Sequence, residues 1–435
     1  MLIQNGITMP ICKIIQTNRS CRTHLRELFI TLALLTCSTN SFATNGYQLI
    51  GFGQCSMGMG GAVVAAPCDP MTALSNPAGL AWIPAQTAFS GEIFNPVRST
   101  NFGFGNTGSH TNVYAIPALG WSAPAGSNVY FGGGIFGTSG LGVNYLQPNT
   151  PMGTIQAYSS IDFMQMAPTI ALKLSNRFSL GLAVDVAAEQ VSFDETFGGQ
   201  GLNLTSPTWA YGVGATLGGL YKFNNKVTFG ASYKSVMKFT HLYWQEDEEF
   251  IPTGVGASGP VGISGGTGTY KARLNYPQQV AFGAAFYPIS KWLVSVEGQW
   301  INWHSTMNQF KVFGPWVGTA YVALPMDWQN QWVGSVGTQY DLCKSLQVRA
   351  GFNYGSNPIK TADLQSNLIM PAVVTTAVTF GATQKLPMRW SVTEAVMHTF
   401  KNTITDGTLF GITGLEPLQS AMSQNSVGFQ IGYYF

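Results

Sequence analysis

With 435 residues the chain is long enough for two or three soluble domains, yet only 9% of its residues are Asp, Glu, Lys or Arg, against roughly 25% in soluble proteins. Hydrophobic residues make up 45%, but beyond the N-terminus there is no run of about 18 apolar residues that would form a spanning helix. A closed β-barrel is the other architecture that satisfies every backbone hydrogen bond in lipid, whereas the net charge of +2 gives no support for a nucleic-acid partner.

The N-terminus has the pattern of a secretory signal peptide. Basic residues precede an apolar stretch from Leu28 to Leu35, and Ser41 and Ala43 supply the small residues that a cleavage site requires. We predict that residues 1–43 are removed on export and that the mature chain starts at Thr44. The alternative, an uncleaved anchor helix, would need a longer apolar segment.

Residues 44–85 do not alternate between apolar and polar side chains and contain seven glycines, so we predict a compact plug, or hatch, rather than strands. The barrel expected after it is wider than one that side chains alone can fill, and an unplugged lumen would leak solutes. Cys55 and Cys68 are close enough in sequence to form a disulfide in an oxidising periplasm. Three independent thiols, with Cys343 as the third, are the alternative.

From residue 86 to the end, segments of about ten residues alternate apolar and polar side chains between short turns, which is typical of a transmembrane β-barrel. In the last segment Phe429 and Ile431 share one face, and Gln430 lies on the other. The pattern predicts an all-β fold in which residues 86–435 form an antiparallel barrel of fourteen strands. The predicted strands lie near 86–97, 110–124, 128–145, 158–174, 177–194, 208–223, 226–241, 268–287, 291–312, 328–342, 345–358, 372–385, 388–402 and 425–435. The long connectors are predicted to be extracellular loops, at 195–207, 242–267, 313–327 and 403–424.

Three segments of the predicted hatch carry a family resemblance. They are Asn45-Gly46-Tyr47-Gln48-Leu49, Ser56-Met57-Gly58-Met59-Gly60-Gly61-Ala62 and Ser75-Asn76-Pro77-Ala78-Gly79-Leu80. In this order, behind a signal peptide and ahead of the strand pattern, they resemble the hatch of the FadL-type long-chain fatty-acid transporters of Gram-negative bacteria. The resemblance covers the mature chain, although the barrel is similar in strand pattern more than in identity. It marks Asn76, Pro77 and Ala78 as the hatch motif.

The resemblance implies passive transport of long-chain fatty acids or similar hydrophobic molecules across the outer membrane, without a cofactor. In such transporters a kink in the third strand opens the barrel wall sideways, and Gly140, Leu141 and Gly142 match that kink. Glycines interrupt ladders and mark bends, although a glycine-rich strand end without a special role fits the same residues. Phe435, which closes the last strand, resembles the signal that the barrel assembly machinery reads. Outer-membrane lipid and lipopolysaccharide are the expected surroundings, and the resemblance suggests a monomer.

A fatty-acid carboxylate would favour a basic partner in the lumen. By alternation four cations point inward and are candidates for this role: Lys234, Lys238, Arg273 and Arg349. Inward charges of barrels also pair with one another or face water, which is the alternative for each of them. Uptake of aromatic hydrocarbons by the same scaffold is the alternative function, and it would need no lumen cation.

Other functions leave weaker signals in the sequence. A general porin would lack the hatch. A lipase would need Ser264 in a strand–turn–helix setting, but this serine lies in a glycine-rich segment. Residues 132–137 formally match a dinucleotide-binding glycine pattern, although no helical segment follows them. No Cys and His spacing suggests a metal site, so neither a metal nor an enzymatic activity is expected.

Overall fold

The computed structural model describes residues 45–197, 200–247 and 264–435. The signal peptide predicted at 1–43 and the predicted first residue of the mature chain, Thr44, lie outside the described residues. No helix in these ranges combines the length and the apolar character needed to cross a membrane.

Antiparallel strands dominate the described residues. They are β1 (Gln86–Asn101), β2 (Asn106–Gly108), β3 (Tyr114–Pro124), β4 (Val129–Thr150), β5 (Gly153–Met166), β6 (Thr169–Lys173), β7 (Phe178–Phe197), β8 (Gln200–Leu204), β9 (Ala210–Lys222), β10 (Val227–Lys234), β11 (Lys238–Phe239), β12 (Leu242–Glu246), β13 (Gly268–Ala272), β14 (Gln279–Ile289), β15 (Trp292–Ile301), β16 (Gln309–Phe313), β17 (Tyr321–Pro325), β18 (Gln331–Cys343), β19 (Leu346–Gly355), β20 (Thr376–Lys385), β21 (Trp390–Thr408) and β22 (Pro417–Tyr434). The barrel wall consists of β1, β3, β4, β5 continued by β6, β7, β9, β10 continued by β11, β14, β15, β18, β19, β20, β21 and β22. This ring of fourteen strands confirms the predicted fold class.

Side chains alternate across the wall because successive residues of a strand point to opposite faces. In β22, Phe429 is exposed on the outer surface, while Gln430 is buried on the inner face. The ring closes where β1 pairs with β22, beginning with Gln86 opposite Tyr434. The outer surface is therefore apolar and the inner surface more polar, as a strand wall in lipid requires.

The hatch lies inside the barrel, where its backbone contacts strands on several sides of the lumen. It contains helix α1 (Gly53–Gly58), helix α2 (Thr72–Ser75) and a 3-10 helix (Pro77–Trp82). A disulfide joins Cys55 to Cys68, whose Cα atoms are 6.4 Å apart. The disulfide therefore connects α1 to the segment that leads into α2.

The two ends of the barrel differ. Tight turns join the strands at one end, which is the periplasmic end in barrels of this kind. At the other end β12, β13, β16 and β17 form a separate four-stranded sheet. Residues 242–267 and 313–327 are predicted wholly as loops, and 268–287 and 291–312 as unbroken strands; both predictions are wrong. Pro277, which has no N–H, lies between β13 and β14, and helix α3 (His304–Met307) separates β15 from β16.

The extracellular half of the lumen is filled by the loop 356–375 and by aromatic side chains. The loop includes 3-10 helices at Thr361–Asp363 and Gln365–Asn367, and a further one follows β21 at Leu409–Gly411. The buried apolar side chains of the loop 356–375 are Leu364, Leu368, Ile369, Met370, Val373 and Val374. The Trp303 ring lies 4.5 Å from the Tyr47 ring of the hatch and 5.4 Å from the Trp328 ring, centroid to centroid. The hatch is thus covered from above by packed apolar groups.

Candidate functional site

The hatch rests against a belt of inward-facing glycines. A Cβ added at any of nine glycines would lie less than 3.0 Å from a hatch atom, and at Gly218 and Gly230 the distance is only 2.1 Å. The atoms contacted at Gly230 are backbone atoms of Val64 and Ala65. The members of this glycine belt are Gly120, Gly132, Gly181, Gly218, Gly230, Gly283, Gly337, Gly351 and Gly428. Because each lies on a different strand, the hatch is seated around the ring and not on one side of it.

Polar contacts complete the hatch seat. Asn76 Nδ2 donates hydrogen bonds to Val64 O (2.6 Å) and to Gly219 O of β9 (3.1 Å). Asn76 Oδ1 accepts from Ala78 N at 3.2 Å, so the motif Asn76-Pro77-Ala78 holds both the hatch turn and the wall. Glu297 Oε2 on β15 accepts from the backbone N–H groups of Val63 and Val64, at 2.9 and 2.8 Å. The sequence motif therefore lies at the hatch–wall contact.

A buried carboxyl group of the hatch is sensitive to protonation. Asp69 accepts hydrogen bonds from Met71 N at 3.0 Å and from Gln430 Nε2 at 3.1 Å. Burial raises the pKa of Asp69 from 3.8 to about 6, although these hydrogen bonds and the charge of Arg349 act in the opposite direction. In the seated hatch, the Asp69 carboxyl group consequently keeps its proton to a higher pH than an exposed Asp would.

The barrel wall has an opening between β3 and β4. Their ladder runs only from Ala118 opposite Phe136 to Pro124 opposite Tyr130. Above Ala118, residues 114–117 pair with β1 but have no ladder partner on β4 among residues 45–197. Farther up, His110 N donates to Asn144 O at 2.8 Å and closes the upper end. The wall is thus interrupted over several residues, and Pro117 at its edge has no N–H to offer.

The hatch N-terminus bonds to β4 where this opening lies. Leu49 N donates to Thr138 O at 3.3 Å, and Gly140 N donates to Tyr47 O at 3.1 Å. These β4 groups therefore pair with the hatch, while β3 stays unpaired at the same height. The β4–β5 register is also interrupted between Gly137 and Ser139, which is where a bulge bends a strand.

The predicted kink residues lie in this bent part of β4. A Cβ at Gly142 would lie 2.7 Å from Ser159 O, so a residue with a side chain would disturb the pairing with β5. At Gly140 the nearest atom, Ile161 O, is 3.2 Å away, which leaves more room. Leu141 is half-buried beside them. The three residues lie at the opening, and their role in transport stays a prediction.

A polar network connects the hatch to the β4 bend and to the start of β14. Gln48 Oε1 accepts hydrogen bonds from Tyr276 Oη at 2.9 Å and from Gln279 Nε2 at 2.6 Å. Tyr276 Oη also lies 2.9 Å from Ser139 Oγ on β4. A change in the position of Gln48 would therefore disturb the hydrogen bond between Tyr276 and Ser139 at the β4 bend.

A cavity of about 180 Å³ lies directly inside the opening. Its walls are mainly apolar and include Tyr47, Ile116, Leu141, Ile161, Phe163 and Met422. One buried cation, Arg98 on β1, reaches it and donates to Tyr114 Oη at 3.2 Å and to Thr111 O. Asp162 lies on the exposed rim. The site can thus enclose a small apolar molecule and offers one positive charge to it.

The four cations predicted to meet a carboxylate do not line this cavity. Lys234 and Arg349 are buried inside the barrel, as predicted. Lys234 Nζ lies 5.6 Å from the Phe52 ring of the hatch, whereas Arg349 donates to Gln339 and Thr383 on the periplasmic side.

The predicted inward orientation of Lys238 and Arg273 is wrong. Both side chains are exposed, while Phe239 and Leu274 next to them are buried in the lumen. In each case the alternation shifts by one residue, at 235–237 between β10 and β11 and around Pro277 before β14. A shift of one residue moves every later side chain to the other face.

Arg98 is the one cation at this cavity, among the described residues, and it is not among the cations predicted from the sequence. The alternation of side chains indicates an inward orientation for Arg98, because this residue continues the inward-facing series of Ser90 and Glu92 in β1. The predicted strand ended at residue 97, one position too early, whereas β1 extends to Asn101.

Comparison with known proteins decides the family. Residues 32–429 match the family model described as outer membrane protein transport protein (OMPP1/FadL/TodX). The chain belongs to this family. No curated protein sequence matches the chain. As a member of the OMPP1/FadL/TodX family, the protein is an outer-membrane transport protein of Gram-negative bacteria.

Solved structures of low sequence identity share the fold. The Pseudomonas putida toluene transporter TodX is 18% identical, with a TM-score of 0.69 over 89% of this chain and 99% of that chain. A Pseudomonas aeruginosa FadL homologue is 14% identical, with a TM-score of 0.70 over 91% of this chain and 100% of that chain. The Ralstonia pickettii toluene transporter TbuX is 17% identical, with a TM-score of 0.65 over 89% and 99%. At these identities the likeness shows a common fold.

The C-terminus of this OMPP1/FadL/TodX member lies at the periplasmic end of the wall. Phe435 is 63% exposed, and its N–H donates to Ala85 O at 3.0 Å, next to the start of β1. The side chain is therefore accessible from outside the barrel. Its recognition by the assembly machinery remains a prediction.

Proposed function

We propose that this transporter passively carries small hydrophobic molecules into the cavity beside β4 and releases them sideways through the opening between β3 and β4. The observation that carries the proposal is the apolar cavity that lies directly inside an interrupted wall. A molecule in this cavity is separated from the surrounding lipid by side chains alone, because no backbone ladder joins β3 to β4 at that height.

The seated hatch makes an axial exit costly. Nine strands contact it through the glycine belt, the Asn76 side chain of the hatch donates to Gly219 O of the wall, and Glu297 of the wall accepts from the hatch backbone. An axial path would require these contacts to break together. The sideways path requires only a rearrangement at Gln48 and the β4 bend. Burial of apolar surface, at roughly 0.8 kcal/mol per methylene, supplies the driving force for entry without an energy source.

The size of the cavity favours compact cargo. An apolar cavity of about 150 Å³ in another protein binds benzene, and the cavity here measures about 180 Å³. A single aromatic ring therefore fits, which supports aromatic hydrocarbons as the cargo. Two of the structures with the same fold are described as toluene transporters.

Long-chain fatty acids are the second candidate, and Arg98 is the observation that favours them. A buried guanidinium at the edge of an apolar cavity can give charge-assisted hydrogen bonds to a carboxylate. A chain of about fifteen methylenes would gain on the order of 12 kcal/mol on full burial, before ordering costs. Only part of such a chain fits in this cavity, so the rest would have to extend through the opening.

Uptake of radiolabelled toluene and hexadecanoate by cells that lack other transporters of this family tests the proposal. Gly140→Leu adds a side chain at the exposed mouth of the cavity, where the nearest wall atom, Ile161 O, is 3.2 Å from its Cβ. Gly334→Leu is the control, because no heavy atom lies within 4 Å of a Cβ there. We expect uptake of the transported compound to fall at least about tenfold for Gly140→Leu alone, which corresponds to about 1.4 kcal/mol. Equal uptake by both variants would contradict the proposed route.

A further inference from the structure

A second cavity, the periplasmic vestibule, lies on the other side of the hatch. It has a volume of about 740 Å³, within the range of small-molecule sites. Its walls are the lower surface of the hatch and the periplasmic ends of the strands, and it shares no lining residue with the cavity beside β4. The proposed transport route therefore does not use it.

The charges on the vestibule walls have one sign. Arg177, Lys222, Arg349 and Lys385 line it, and none of its described lining residues is Asp or Glu. The two Asp side chains that act on Arg349 are already hydrogen-bonded: Asp341 accepts from Gln347 Nε2 at 3.0 Å, and Asp69 of the hatch accepts from Gln430 Nε2 at 3.1 Å. A concave wall with charges of one sign concentrates counter-ions. The vestibule should therefore attract anions.

Trp82 arranges two of the cations of this region. Lys222 Nζ lies 3.8 Å from the centre of its ring, and Lys173 Nζ lies 4.6 Å from it. The indole is fixed because Nε1 donates to Ser179 Oγ at 2.7 Å. Two ammonium groups on one ring repel each other, and no carboxylate lies within 4.0 Å of either among the described residues. A bound anion would relieve this repulsion.

The remaining wall is apolar. The hatch contributes Met59, Ala65, Pro67, Ile83 and Pro84, and β15 contributes Leu293. Apolar contacts of this kind suit a hydrocarbon body and gain nothing from a bare inorganic ion.

We propose that the periplasmic vestibule binds an organic anion with an apolar body, whose carboxylate or phosphate meets Lys222 and Arg177 while the body packs against the hatch. A ligand bound there contacts the hatch from below and stabilises its seated position by mass action. Carboxylates and phosphates share this chemistry, and the titration below distinguishes them.

Calorimetric titration of the full-length protein in a non-ionic detergent tests this site. The probes are octanoate, octyl phosphate, octanol and inorganic phosphate, each below its critical micelle concentration. We expect saturable binding of octanoate or octyl phosphate, with the tighter of the two identifying the headgroup. Octanol and inorganic phosphate should each bind at least about tenfold more weakly, because octanol has no negative charge and inorganic phosphate has no apolar body.

Matched double variants locate the site. R177Q/K222Q should weaken binding of the preferred probe about tenfold. K226Q/K291Q removes the same charge from exposed turn residues that do not line the vestibule, and it should leave binding unchanged. K385Q gives an independent single change on the opposite wall and should also weaken binding. Equal binding of octanol and octanoate, equally tight binding of inorganic phosphate, or equal losses in the two double variants would overturn the proposal.

Discussion

A single glycine of the belt tests how the hatch is seated. In β10, a methyl group at Gly230 would lie 2.1 Å from Val64 O and 2.8 Å from Ala65 Cα. Both contacted atoms belong to the hatch backbone, so Gly230→Ala forces the hatch or β10 to move. Overpacking of this kind costs about 1–3 kcal/mol. If this whole free-energy cost destabilises the seated hatch relative to the unseated one, the unseated fraction of the hatch rises by about 5- to 150-fold.

Hydrogen exchange of the hatch amides measures this fraction, because the N–H groups of Val63 and Val64, which bond to Glu297 in the seated hatch, exchange with water only when the hatch opens. We expect faster exchange of these amides for Gly230→Ala than for the unchanged protein. Gly334→Ala is the matched control, since a Cβ there meets no heavy atom within 4 Å. Thermal melting in detergent shows that the barrels themselves remain folded. The same exchange rate in both variants would show that the glycine belt does not hold the hatch in place.

Three further predictions concern charge, protonation and the disulfide. Arg98→Gln should slow hexadecanoate uptake about tenfold and leave toluene uptake unchanged, because only the acid needs a cation. The control is Lys238→Gln, since Lys238 faces outward. Equal losses of uptake for both cargoes would contradict a role of Arg98 in binding the carboxylate. The pKa of Asp69 is raised to about 6, so its contribution to stability is present below about pH 4 and is lost as the pH rises through 6. The melting temperature should therefore fall between pH 4 and pH 7, and Asp69→Asn should reduce this fall; an unchanged pH profile would disprove it. Replacing Cys55 and Cys68 by Ser, 13 residues apart, should lower stability by about 3 kcal/mol in denaturant melts, and no loss would show that the hatch is held without the disulfide.

Much of the fold could be predicted from the sequence because barrel strands repeat every two residues and turns punctuate them. The fourteen wall strands follow that local signal, and the segment without alternation forms the hatch. The same method failed at Lys238 and Arg273, where a one-residue shift reverses the faces. Such a shift depends on how neighbouring strands pair, and the sequence of a single strand does not show this pairing. It also missed Arg98, because a strand end is set by its partners.

The candidate site depended on contacts between distant segments. The opening exists because β3 and β4 stop pairing above Ala118 and because Tyr47 and Leu49 of the hatch occupy the β4 edge instead. The glycine belt is similar: glycines such as Gly230 are recognisable in the sequence, but their common role follows only from the position of the hatch. The family resemblance marked the Gly140–Gly142 segment as the predicted kink, and the structure shows what surrounds it.

A reversible cross-link across the opening shows whether cargo leaves the barrel between β3 and β4. A Cβ at Gly137 would lie 2.9 Å from Ile116 Cγ2, so cysteines at these two positions can form a disulfide between β3 and β4. Uptake of toluene and hexadecanoate is measured for I116C/G137C after oxidation and again after mild reduction, with each single-cysteine variant and the unchanged protein treated in the same way. We predict that oxidation stops uptake only in the double variant and that reduction restores it. Full uptake through the oxidised, cross-linked barrel would contradict a sideways exit between β3 and β4.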